Sequence, residues 1–148
     1  MVNEADLGPE LVGRLTYLLK RALLELEDLH AEHLAPAGLG ARELAVLLLL
    51  GGHEPESQQQ AAARLGVDRT SMVGLLDGLE AKGFVARRPD PVDRRRNVVE
   101  LTPAGQVALR EATRASDDAE RALLADLDDA EAAQLRALLR RVGHGARR

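Results

Sequence analysis

Twelve residues decide how this chain is read: Asp90 to Leu101, DPVDRRRNVVEL. Arg94, Arg95 and Arg96 follow the turn-forming DPVD and precede NVVEL, a short segment of strand character. Just upstream, FVARR has the same character, so the two flank PDPVDRR as a ribbon with an extended tip. The chain as a whole is acidic, with a formal net charge of -4. A knot of cations on a ribbon therefore calls for a local explanation. Charge is indeed uneven along the chain. Residues 1–57 carry 4 basic against 10 acidic side chains, residues 58–101 carry 8 against 6, and residues 102–148 carry 8 against 8. A local patch says more about a partner than the net charge does.

Immediately before the ribbon, DRTSMVGLLDGLEAK repeats apolar residues at helical spacing: Met72, Leu75, Leu76 and Leu79. Asp68 is placed to cap this helix and Gly83 to end it. Before that, SQQQ forms a capping box from Ser57 to Gln60, opening a short helix that stops at Gly66. The centre of the chain is thus helix, turn, helix, then a β-wing.

The flanks are helical. Leu11, Leu15, Leu18, Ala22, Leu26 and Leu29 predict one long amphipathic helix from roughly Pro9 to Leu34, stopped by APAGLG. ARELAVLLLL predicts a second, buried helix, and GGHEPE a loop. Thr102 and Pro103 suit the N-cap and first turn of another long helix. Asp128 and Glu131 cap a last one, whose stripe is Leu135, Leu138, Leu139 and Val142. The expected fold is mainly α with a small β-wing: a winged helix-turn-helix lobe plus N- and C-terminal dimerisation helices. We expect one domain over residues 1–148, with residues 38–102 as the lobe and residues 1–37 and 103–148 as the dimerisation helices. Their surplus leucine faces suit a symmetric contact with a second copy.

Several functions are disfavoured. There is no cysteine, so disulfides and thiol chemistry are excluded. MVNEADLGPE has no apolar signal segment, and LAVLLLL is far too short to span a membrane, which points to a cytoplasmic protein without a membrane partner. No nucleophile elbow, phosphate loop or metal-ligand spacing is present, so no enzyme activity, cofactor or metal is expected.

With Met72, Leu75, Leu76 and Leu79 turned inward, the helix after the turn presents Arg69, Thr70, Val73, Gly74 and Asp77, with Ser71 on its flank. Its amino-terminal turn is compact and cationic, suited to phosphate and base edges in a major groove. The arginines at the ribbon tip suit a minor groove and the neighbouring phosphates, with Asp93 placed to pair with Arg95 and hold the loop. On an extended tip, Arg94 and Arg96 would share one side and Arg95 take the other.

LGVDRTSMVGLLDGLEAKGFVARRPDPVDRRRNVVELTPAG resembles the winged helix-turn-helix signature of the MarR family of bacterial transcriptional regulators. The likeness lies in the LGV turn, LEAKGFV, the R-P-x-x-x-D-x-R wing and the closing LTPAG. It implies an obligate dimer on a pseudo-palindromic double-stranded DNA operator, often released by a small aromatic or other organic effector. It implies DNA contacts at Arg69, Thr70, Ser71, Val73, Gly74, Asp93 and Arg95, with Arg95 the minor-groove residue, and we expect Ser57, Gln58, Arg94 and Arg96 to contact DNA beside them. The chain departs from the family where Val73-Gly74 replaces a common Thr-Arg and Gly78 a common Arg, so its operator does not follow from relatives. The family's pocket implies Tyr17, His30 and His33 as effector-facing residues. His30 and His33 beside Glu27 also have the spacing of a metal half-site, with no further ligand to complete it. The main alternative is a winged-helix module that binds proteins instead of specific DNA, consistent with the few long donors on the recognition helix.

Overall fold

The computed structural model describes residues 3–143. Backbone contacts divide the chain into two compact units: residues 30–117, and residues 1–29 with 118–148. The seams fall inside the two long helices.

The lobe, residues 30–117, begins with the end of α3 (Leu15–Leu34) and a 3-10 turn at Ala35–Ala37. Gly38 then turns the chain in the left-handed region at φ 68°. α4 (Ala41–Gly51) buries Leu44, Val46, Leu47 and Leu50, while Leu48 stays half exposed. β1 (Glu56–Ser57), α5 (Gln58–Leu65) and α6 (Arg69–Ala81) follow, then the wing strands β2 (Val85–Pro89) and β3 (Asn97–Leu101) and the start of α7 (Pro103–Leu123). The sheet order is β1-β3-β2, all antiparallel. The loop expected at GGHEPE therefore ends in a strand: Glu56 pairs with Val99 and Ser57 with Val98. Two residues are too few to show a strand period, and this pairing depends on β3.

The expected caps form. Ser57 and Gln60 exchange hydrogen bonds at 3.1 and 3.0 Å, and Gly66 ends α5 at φ 63°. Thr102 Oγ1 accepts from Gly105 N–H at 3.0 Å and donates to the Gly83 carbonyl at 2.6 Å. That corner explains LTPAG. A Cβ on Gly105 would lie 1.9 Å from the Phe84 carbonyl oxygen, so only glycine fits where α7 crosses the start of the wing. The core comprises Leu34, Val46, Leu47, Met72, Leu76, Leu79 and Val99, all fully buried.

The other unit contains α1 (Glu4–Leu7), α2 (Pro9–Val12), most of α3, the end of α7 and α8 (Asp129–Arg141). The single helix expected from Pro9 to Leu34 is interrupted. Arg14 N–H bonds to the Leu11 carbonyl in a tight turn, and α3 starts afresh at Leu15. The cause is Gly13, the poorest helix former after proline, placed just where the leucine period would have continued. Asp128 and Glu131 form the expected capping box at 2.8 and 3.0 Å, and Arg136 pairs with Glu120 at 2.8 Å. Even so, Leu15, Leu18, Leu19, Leu23, Leu24, Leu135, Leu138 and Leu139 remain between 37% and 74% exposed. Among the described residues no single helix is long and apolar enough to cross a membrane.

Candidate nucleic-acid interface

α6 is fixed at three points. At its start, the Asp68 carboxylate accepts from the Ser71 backbone N–H at 2.8 Å and from the Ser71 hydroxyl at 2.6 Å. The Ser71 hydroxyl, and then its N–H, hold the Asp68 carboxyl below its ordinary range. At the other end, Lys82 Nζ donates to the Gly38 carbonyl at 2.6 Å and to Glu43 Oε2 at 2.9 Å, tying the helix to the start of α4. From the wing, Arg87 on β2 donates to Asp77. The Arg87 Nε is buried without a hydrogen-bond partner and reaches Glu80 at 3.8 Å, as an ion pair only. Arg87 thus locks recognition helix to wing, a role with no local signal along the chain.

These contacts revise two expectations about α6. Its amino terminus is already occupied by the Asp68 carboxylate, so it is a weaker phosphate seat than the bare helix end suggests. The Ser71 hydroxyl is committed to Asp68 and is not free to read a base. Asp77, although 61% exposed, is neutralised by Arg87. Arg69, Thr70 and Gly74 remain exposed, and Val73 is half buried beside them.

The wing tip is a folded turn, not an extended ribbon. Asp90 N–H donates to the Arg96 carbonyl at 2.9 Å, Val92 N–H to Asp90 Oδ1 at 2.8 Å, and Arg96 N–H to the Asp93 carbonyl at 3.0 Å. The strand alternation expected for Arg94, Arg95 and Arg96 therefore does not apply. Asp93 does hold the loop, but by accepting the Arg95 backbone N–H at 3.0 Å. Its side-chain partner is the Arg96 guanidinium, at 3.6 Å, not that of Arg95. Turn formation, with its own backbone hydrogen bonds, overrides the strand period here.

Between α5, the start of α6 and the tip of the wing lies a groove of about 500 Å³. Ser57, Gln58 and Gln59 from the start of α5, Arg69 from α6, and Arg95, Arg96 and Asn97 from the wing line it. Ala62 and Ala63 are among the small residues lining its floor. No carboxylate lines it. The structure so brings together Ser57, Gln58, Arg69, Arg95 and Arg96 from the expected set, and adds Gln59 and Asn97. Arg94 is exposed but does not line the groove. Gln59 could have been read from SQQQ, whereas Asn97 gains its place only from the turn that precedes it. Three guanidinium groups with amide side chains between them suit a phosphate backbone flanked by base edges.

The residues expected to face an effector are spread along α3. Tyr17 lies in the helical unit and is half buried. His30 lies in the lobe, its Nε2 hydrogen-bonded to Ser116 Oγ of α7 at 2.9 Å. His33 is half buried. Among the described residues no group of three or more His, Asp or Glu is placed to hold a metal ion.

Comparison with known proteins agrees with this geometry. The sequence profile of the MarR family matches residues 37–96. A transcriptional regulatory protein named for the hcr operon of Thauera aromatica is 35% identical over 97 residues, 66% of this chain but only 58% of that protein's length. The regulator PecS of Dickeya dadantii is 30% identical over 146 residues, 94% of this chain and 84% of that one. Among solved structures, the transcriptional repressor CouR bound to a 23-mer DNA duplex superposes with a TM-score of 0.85 at 32% identity, covering 90% of this chain and 95% of CouR. CouR from Rhodococcus jostii RHA1 is also solved with p-coumaroyl-CoA. Motif, fold and near-full-length likeness together place the chain in the MarR family of winged helix-turn-helix transcriptional regulators.

Proposed function

We propose that this protein is a homodimeric, cytoplasmic DNA-binding regulator that represses nearby genes and is released by a small organic effector. It acts by binding and not by catalysis. The observation that carries the DNA-binding reading is the cationic groove. Arg69, Arg95 and Arg96 line it together with Gln58 and Gln59, while α6 exposes Thr70 and Gly74 on its outer face. Dimerisation is supported by the half-exposed leucines of the helical unit, which a two-fold contact would bury in one symmetric interface. Two recognition helices related by a two-fold axis then select an inverted repeat, with half-sites about one helical turn apart. Release by an effector is supported by CouR, solved both on DNA and with p-coumaroyl-CoA. Tyr17, His30 and His33 remain our candidates for the effector-facing side chains.

The test is selection of duplexes from a randomised pool by the purified protein, followed by footprinting. An enriched inverted repeat, bound less tightly as salt rises because phosphate contacts release counterions, is the expected result. No enrichment, or binding indifferent to salt, would overturn the reading.

A further inference from the structure

Gly74 stands in the middle of α6, and nothing within the chain calls for a glycine there. It is not among the glycines with positive φ, unlike Gly66 and Gly83, and it is not crowded, unlike Gly105. A Cβ built on it would meet no atom within 4 Å. Glycine is nevertheless among the least favourable residues for a helix interior. A feature that weakens the free protein without serving its packing points to something outside the chain that comes close.

The surroundings of Gly74 indicate what that is. On α6 it lies on the outer line with Thr70 and Asp77, opposite the buried Met72, Leu76 and Leu79. Val73 beside it is apolar and half buried. One turn on, Asp77 is drawn to Arg87 and so is not free to bond a base. The long donors Arg69, Gln58 and Arg95 line the groove on the Met72 side of the helix instead. The centre of the exposed face is therefore a notch with an apolar wall and a bare floor. Val73 and Gly74 themselves offer no side-chain donor or acceptor, and the open space above Gly74 has room for a small apolar group. A major groove of unmodified DNA presents one such group, the C5-methyl of thymine.

We infer that the Val73–Gly74 notch seats a thymine methyl, and that this contact, rather than a hydrogen bond, sets the base preference at the centre of each half-site. The inference rests on the DNA-binding reading above and adds the chemical group recognised. The helix backbone reaches the base edge because Gly74 has no side chain, and Val73 supplies the dispersion contact.

The test uses the duplex selected by the full-length protein, with thymine replaced by deoxyuridine at one symmetry-related pair of positions at a time. One such pair is expected to weaken wild-type binding about fivefold. Gly74→Ala is expected to raise Tm by about 4 °C, as a helix gains propensity. The same variant should bind the all-thymine duplex about tenfold more weakly and no longer distinguish deoxyuridine from thymine at that pair. Gly78→Ala is the control: it lies one turn further along the same line, half buried, where its Cβ would approach Glu43 Oε2 of α4 at 3.9 Å and not open space. It should raise Tm and leave the deoxyuridine penalty intact. The inference is overturned if no thymine shows a penalty, if the penalty survives in Gly74→Ala, or if Gly78→Ala removes it as well. A protein that selects no duplex at all would overturn the DNA-binding reading itself, and this inference with it.

Discussion

Leucine meets opposite fates in the two compact units. In the lobe, Leu34, Leu47, Leu76 and Leu79 are fully buried between helices and a three-stranded sheet. In the helical unit, Leu15 is 74% exposed, Leu23 55% and Leu139 47%, although they sit on helices of equally regular leucine spacing. The lobe completes its own core. The helical unit holds a run of leucines on α3 and α8 that its own residues leave partly exposed. In the dimer proposed above, the same residue type would serve intramolecular packing in one unit and association in the other. Substitutions in the two should fail in different ways.

The largest effect is expected in the lobe. Gly105→Ala drives a Cβ to 1.9 Å from the Phe84 carbonyl oxygen, a backbone atom that cannot step aside. We expect a loss of about 3 kcal/mol or more, read as a large fall in Tm with DNA binding lost along with the fold. Full retention of Tm would mean that this corner is loosely held. In the helical unit, Leu23→Glu should leave the melting of each lobe nearly unchanged while raising the dimer dissociation constant at least about tenfold, because it places a charge in an apolar contact. Sedimentation at micromolar concentration reads the difference. A dimer that persists would show that these leucines are covered in some other way.

Next come the wing arginines. Arg95 lines the groove with no acidic partner, Arg96 lines it while paired to Asp93, and Arg94 points elsewhere. Operator affinity measured at fixed salt should fall in that order, by about 1–3 kcal/mol for Arg95→Ala and under about 1 kcal/mol for Arg94→Ala. Asp93→Ala should act as a milder Arg95→Ala, because it removes the acceptor that shapes the turn at Arg95 N–H. Equal losses for all three arginines would reduce the wing to a phosphate clamp.

The smallest effect concerns pH. The Asp68 carboxyl is held below its ordinary range by Ser71, so it binds its proton less readily folded than unfolded. Its contribution is therefore present above the unfolded pKa and is lost as pH falls through the folded one. The stability advantage of wild type over Asp68→Asn should be constant near neutrality and disappear in strong acid. An advantage that grows on acidification would contradict the cap.

Much of this was legible in the sequence because it is local. Ser57 with Gln60, Asp68, Thr102, and Asp128 with Glu131 each satisfy backbone donors within a few residues, so their spacing alone announces a helix start. The buried face of α6 follows from helical spacing for the same reason. The interruption at Gly13 was legible in principle, yet the leucine period on either side concealed it. The two-residue β1 was not legible, since a strand that short exists only because β3 lies beside it.

The candidate site divides along the same line. The sequence by itself determined which residue types the interface has: a cationic tip at Arg94 to Arg96, a polar start to α5, and a recognition helix with Gly74 where a long donor is common. Local chemistry decides these, through caps, turns and side-chain periods a few residues long. Only the tertiary structure decided which of them work together. It folded the tip so that Asp93 holds Arg96 and Arg95 faces the groove, brought Arg87 from β2 onto Asp77 of α6, and set Asn97 in one groove with Gln59. The Arg87–Asp77 pair spans ten positions, and Asn97 and Gln59 stand 38 apart. Their geometry depends on where whole elements pack, and no spacing along the chain encodes it.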